Sequence, residues 1–151
     1  MNGGADPIFV DTNVLVYASI EESPFHESAL RSIQHYYEAG VEMWVSYQVL
    51  REYLAVLTRP DALRIPQPIS ATVTDIQHFR KRFRMAGESA QILENLLALI
   101  QEVPVKGKQI HDANIVATMM THRIRRLLTH NTSDFDRFSR FITLLPIAVG
   151  T

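Results

Sequence analysis

At 151 residues, with a formal net charge of −1 and no cysteine, the chain is sized for one hydrophobic core and is too weakly charged to coat nucleic acid by bulk electrostatics. Disulfides and thiolate metal sites are excluded. Apolar runs such as Leu96 to Ile100 fall far short of a bilayer span, and Met1 to Pro7 shows no basic segment followed by an apolar one. One cytoplasmic domain over residues 1–151, with no membrane segment, is the expectation.

Ile8, Phe9 and Val10 form a short, β-branched-rich apolar run that reads as a buried strand. It ends at Asp11-Thr12-Asn13, after which apolar character resumes at Val14-Leu15-Val16. A carboxylate at the carboxyl end of such a strand points into the crevice where open α/β sheets bind ligands. Ser23-Pro24 opens a helix from about Phe25 to Glu38, with Ala29, Ile33 and Tyr36 or Tyr37 on one face and Gly40 as its end. Val41 to Val45 reads as a second strand, and Ser46 is placed to cap a helix from Tyr47 to Thr58 that closes before Pro60. Val49, Leu50, Tyr53, Leu54 and Leu57 form the buried stripe of that helix, with Gln48, Arg51, Ala55 and Thr58 opposite. Glu52 falls at the border, beside Val49 and Val56 by helical spacing.

A proline-rich connection from Pro60 to Pro68 leads to two helices, Ser70 to Arg84 and Ser89 to Glu102, separated by a break at Gly87. Val103 to Gly107 reads as loop, and Ile110 to His122 as a helix with Ile110, Ala113, Ala117 and Met120 at core spacing. Arg126 to Thr129 is a strand leading into His130-Asn131-Thr132-Ser133-Asp134. A short helix from Asp134 to Phe138 and a last strand from Phe141 to Leu145 complete the pattern. Strand–helix alternation with crossovers this long predicts a three-layer α/β/α sandwich around a parallel sheet of four to five strands.

Singly, the acids have plain structural explanations. Asp11 suits a turn or helix cap, Glu52 a helix surface, Asp112 a helix dipole and Asp134 the cap of its short helix. Their contexts carry more. Asp11-Thr12-Asn13 ends the first strand and Glu52 lies on the helix after the second. Gln109-Ile110-His111-Asp112-Ala113 opens a helix, and Thr129-His130-Asn131-Thr132-Ser133-Asp134-Phe135 leaves a late strand. This set resembles the PIN-domain nucleases, especially the small VapC-type toxins. Their pattern is Asp-Thr-Asn after strand one, a mid-chain helix glutamate, a helix-opening aspartate and a late Thr-x-Asn-x-x-Asp-Phe. The resemblance spans about Ile8 to Leu145.

Clustered carboxylates repel one another and would hold protons unless a cation relieves them. Oxygen-only ligands suit Mg²⁺ or Mn²⁺, whereas zinc prefers nitrogen and sulfur, and the six histidines show no paired spacing for it. The resemblance implies a Mg²⁺- or Mn²⁺-dependent endoribonuclease that leaves 5′-phosphate and 3′-hydroxyl ends. It assigns Asp11, Asp112 and Asp134 as direct or water-mediated metal ligands, and Glu52 as holding a metal-associated water or a second ion. Asn13, Thr129 and Asn131 would orient carboxylates or substrate. It further implies a homodimer and a small antitoxin partner that presents an arginine to the acids.

Asp136 reads more simply as a surface partner for Arg137 or Arg140, with a water-mediated contact as the alternative. His111 and His130 read as structural, with substrate contact as the alternative, and Tyr36, Tyr37 and Trp44 as core or partner contacts ahead of base stacking. Three basic runs, Arg80-Lys81-Arg82 with Arg84, Lys106 with Lys108, and Arg123 with Arg125-Arg126, matter for substrate only if they flank the acids. The rival readings are a stand-alone PIN nuclease of RNA processing, a haloacid-dehalogenase-like phosphatase and a non-catalytic RNA- or protein-binding scaffold. The phosphatase needs an aspartate where Asn13 stands.

Overall fold

Ile8, Phe9 and Val10 form strand β1 (Ile8–Val10), and all three side chains are fully buried. Consecutive side chains on a strand point to opposite faces, so both faces of the sheet are covered here. The structure, a computed structural model, describes residues 5–147. On one side of β1 lie β2 (Met43–Ser46) and β3 (Arg84–Ala86); on the other lie β4 (Arg126–Thr129) and β5 (Thr143–Pro146). The five strands pair in the order β3-β2-β1-β4-β5, all parallel. Helices α1 (Thr12–Ser19) and α2 (His26–Glu38) connect β1 to β2, and α3 (Tyr47–Leu57) and α4 (Ile69–Arg82) connect β2 to β3. The chain then returns through α5 (Ala90–Glu102) and α6 (Gln109–Thr121) to β4, beyond β1. Helix α7 (Thr132–Phe135) and a 3₁₀ turn at Asp136–Phe138 precede β5. The order of winding therefore reverses between β1 and β4, the position where such sheets open a crevice at their carboxyl edge. No helix among the described residues is long and apolar enough to cross a membrane.

Local signals account for several boundaries. The Ser46 hydroxyl accepts a hydrogen bond from the Val49 amide at 3.3 Å, capping α3 as its sequence position predicts. Gly40, at φ +75°, sits in the left-handed region just past α2 and turns the chain toward β2.

Other boundaries depart from expectation. The helix expected to run through Arg84 stops at Arg82, and Arg84, Met85 and Ala86 pair instead with Trp44, Val45 and Ser46 as an edge strand. Three residues are too few to carry an alternating pattern, so the pairing partner decides. The short helix begins at Thr132, which places Asp134 inside it, and β5 starts two residues later than expected because Phe141 and Ile142 still bond back to the Phe138 carbonyl. Val14, Leu15 and Val16 belong to α1. Met119 takes the core position expected of Met120, which is exposed. Gln48, expected on the outer face of α3, is buried, and Leu54 is only half-buried.

Tyr53 ties the α1–α3–α4 side of the molecule together. Its fully buried ring meets Phe79 edge-on, with centroids 5.0 Å apart at 87°. Its hydroxyl donates to Asp75 Oδ2 at 2.8 Å and lies 2.8 Å from Ser19 Oγ, and burial pushes the phenol pKa upward. Replacing Tyr53 by Phe keeps the ring and strands Asp75 without this donor. A loss of about 1–2 kcal/mol is expected, read as a lower urea midpoint at unchanged slope. An unshifted midpoint would show that the hydroxyl adds nothing to stability.

Candidate active site

Asp11 follows β1 with extended backbone and caps α1, so its carboxylate stands at the carboxyl edge of the sheet, where β1 and β4 part. The residue is only 6% exposed, and its oxygens are held by named donors. Oδ1 accepts from the Thr12 amide at 2.8 Å; Oδ2 accepts from the Thr129 hydroxyl at 2.8 Å and from Asn13 Nδ2 at 3.2 Å. Those donors are themselves committed. Asn13 Nδ2 also donates to Thr129 Oγ1 at 3.2 Å, and Asn13 Oδ1 accepts from the His130 amide at 3.1 Å. Thr129 Oγ1 accepts a further bond from the Asn131 amide at 3.1 Å. Asn13 and Thr129, both expected to orient carboxylates or substrate, each donate to Asp11. Asn131 acts here through its backbone, while its residue lines the cleft.

Of the other acids, Glu52 and Asp112 join Asp11 in lining the cleft, whereas Asp134 is exposed and is not part of that lining. Glu52, on α3, accepts from the Thr12 hydroxyl at 3.1 Å, and Val56 lines the same cleft one turn on, as helical spacing predicts. Asp112 lies in the first turn of α6, and Asp134 in the first turn of α7. Asp11, Thr12, Asn13, Tyr17, Glu52 and Asp112 are among the residues that line this cleft of about 340 Å³. The acids feel one another. Burial pushes the Asp11 carboxyl up to about 6 against the pull of its Thr129 and Thr12 hydrogen bonds, and Glu52 and Asp112 raise it further. Burial likewise lifts Asp112 to about 6, with Asp134 and Glu52 adding repulsion and Arg137 and His111 opposing it.

Residues outside the expected set also contribute. Buried Gln48 donates to the His111 carbonyl at 2.9 Å and accepts from Asn114 Nδ2 at 2.7 Å, so it pins the start of α6 and with it Asp112. The His111 side chain is exposed; its carbonyl is what the structure uses. Asp136 is exposed on the 3₁₀ turn and, among the described residues, forms no ion pair with Arg137 or Arg140. Tyr36, Tyr37 and Trp44 lie toward the opposite end of the sheet, where Arg82 covers Tyr37 and Arg84 covers Trp44. Two of the basic runs end there as well, since Arg84 begins β3 and Arg126 begins β4. Lys106 and Lys108 instead precede α6, whose first turn carries Asp112.

The chemistry of the donor set fits a hard divalent cation. All four acids offer oxygen, and among the described residues no lysine or arginine forms an ion pair with any of them. Two carboxyls raised to about 6 by burial and mutual repulsion are those a cation would relieve. Among the described residues no group of three or more His, Asp or Glu side chains is arranged to hold an ion directly.

The raised pKa values carry a pH dependence. Between about 3.8 and about 6 the folded protein binds these protons more tightly than the unfolded chain does. The stabilisation is complete below about 3.8 and is lost as pH rises through about 6. In chelator-treated protein the thermal midpoint should fall across this window, and Asp11→Asn should flatten the fall. A slope identical in wild type and variant would contradict the burial argument.

A family model described as the PIN domain matches residues 8–140. Ribonuclease VapC48 of Mycobacterium tuberculosis is 29% identical over 130 residues, covering 85% of this chain and 89% of that protein. Among solved structures, VapBC2 from Rickettsia felis bound to a promoter DNA fragment superposes with a TM-score of 0.68 at 19% identity, over 92% of this chain and 97% of that one. Mycobacterium tuberculosis VapC20, a sarcin–ricin-loop-cleaving toxin, gives 0.65 at 19% identity, over 90% and 96%. With Asp11, Asn13, Glu52, Asp112 and Asn131 lining one cleft and the match running from β1 to the turn before β5, the chain belongs to the PIN-domain family.

Proposed function

We propose that this chain, acting as one PIN domain, is a divalent-metal-dependent endoribonuclease and the toxin of a toxin–antitoxin pair. The observation that carries this reading is the buried Asp11 carboxylate, fixed by three donors and repelled by two further acids, with no ion pair to it among the described residues. Similarity to a protein named as a ribonuclease and to toxin–antitoxin structures supports the substrate class and the partner.

Asp11, Asp112 and Asp134 would hold Mg²⁺ or Mn²⁺, directly or through water, with Glu52 holding an associated water or a second ion. When bound, the cation supplies Lewis acidity, offsetting charge that grows on the phosphate and easing proton loss from the attacking water. The protein's part is placement. Thr129 and Asn13 hold Asp11 in one orientation, Thr12 links Asp11 to Glu52, and Gln48 sets the start of the helix that carries Asp112. An antitoxin arginine entering the cleft would meet uncompensated negative charge and could form charge-assisted bonds there. A homodimer is part of the same proposal.

Asp11→Asn should lower RNA cleavage in Mg²⁺ or Mn²⁺ by more than about 100-fold while RNA binding persists. Undiminished cleavage by this variant, or full wild-type activity in excess chelator, would overturn the assignment. Thr129→Val keeps the shape and removes the donor to Asp11. It should cost about 10- to 100-fold in activity, with a higher metal concentration needed for half-maximal rate.

A further inference from the structure

Two aromatic residues line the cleft that holds the acids, Tyr17 and Phe135, and of these Phe135 is fully buried whereas Tyr17 is partly exposed. Tyr17 sits on α1 one turn after Asn13, on the same helix face, and lines the cleft beside Asp11 and Glu52. Two more rings stand behind it. Phe25 lies 5.0 Å from Tyr17 between centroids, at 50°, and His130 meets Tyr17 edge-on at 5.4 Å and 85°. Phe25 and His130 pack on each other at 4.1 Å and 41°. All three residues are only partly buried. Hydrogen bonds hold the cluster in register with the acids. The His130 amide donates to Asn13, the preceding Thr129 donates to Asp11, and His26 Nδ1 lies 2.9 Å from the Tyr17 carbonyl.

The carboxylates and amides of the cleft can engage a phosphate through a cation, but they give the unpaired bases of a single strand no face to stack on. Proteins that take single-stranded RNA solve this with exposed aromatic faces, whose stacking tolerates any base. We propose that Tyr17, backed by Phe25 and His130, is the stacking platform for the base of a nucleotide flanking the bond to be cut. The platform rests on the ribonuclease reading above. Tyr17 would touch substrate, whereas Phe25 and His130 act as positioning residues that keep its ring upright.

The test uses a short single-stranded RNA of mixed sequence that the wild-type protein cuts, with one abasic nucleotide moved stepwise along it. Binding is followed by fluorescence anisotropy in the Asp11→Asn protein, with and without Tyr17→Leu. One abasic position should weaken binding about 10- to 100-fold when Tyr17 is present and leave it unchanged in Tyr17→Leu, with Tyr17→Phe behaving as Tyr17 does. A penalty of equal size with and without Tyr17, or no position with a penalty, would overturn the platform and leave the three rings as a packing cluster. Should Tyr17→Leu lower the thermal midpoint, Tyr17→Met repeats the comparison with a bulkier side chain. Failure of wild-type protein to cut any RNA in Mg²⁺ or Mn²⁺ would instead remove the ribonuclease reading.

Discussion

Burying a carboxylate where two parallel strands separate is the constraint around which the rest of this structure is arranged. Asp11 has lost nearly all its water, and three hydrogen bonds do not restore what hydration supplied, since its pKa still rises to about 6. The donors therefore decide where the charge sits without neutralising it. That division makes a cation the natural complement of the site. It also weakens the phosphatase reading. Asn13, at the position where that chemistry needs a general acid, has both amide hydrogens and its carbonyl committed to Asp11, Thr129 and the His130 amide.

The two edges of the sheet carry different tasks. At the amino edge, Arg84 pairs with Glu42, which also accepts from the Trp44 indole, and Arg126 donates to the Asp6 carbonyl. These contacts tie strand starts to their surroundings and engage Arg84 and Arg126, one residue from each of two basic runs. At the carboxyl edge the side chains of Asp11, Asn13 and Thr129 bind one another and leave one wall open to the cleft. Asp112 feels the opposing positive charge of Arg137, which belongs to none of the basic runs.

Much of this was legible in the sequence where one local rule governed one position. Asp11 could be placed because the apolar run before it is short and β-rich, and Ser46 because a cap precedes its helix. Glu52 could be placed because helical spacing ties it to Val56, which shares its cleft. What stayed hidden depends on partners distant in sequence. β3 is a strand because Trp44, Val45 and Ser46 present a free edge to it. Gln48 has the polarity of an outward residue, and only the docking of α6, which supplies the His111 carbonyl and Asn114, makes it an inward one. Tyr17 directly follows the apolar run Val14-Leu15-Val16 without a motif of its own, and its place in the cleft wall follows only from where α1 sits.

The bonds that hold Asp11 also have a history along the chain. Asn13 to Thr129, Asp11 to Thr129 and Asn13 to His130 join residues 116 to 118 positions apart. During synthesis, which releases the amino terminus first, Asp11 emerges long before the strand that orients it. Until β4 pairs with β1, the carboxylate has only its neighbours Thr12 and Asn13 among these donors, at the end of a strand whose β4 side is still open. Contacts of such long sequence separation form late, because the chain must close a large loop first. The site is thus a reporter of completed folding: a nascent or partly unfolded chain holds the acids and lacks their arrangement.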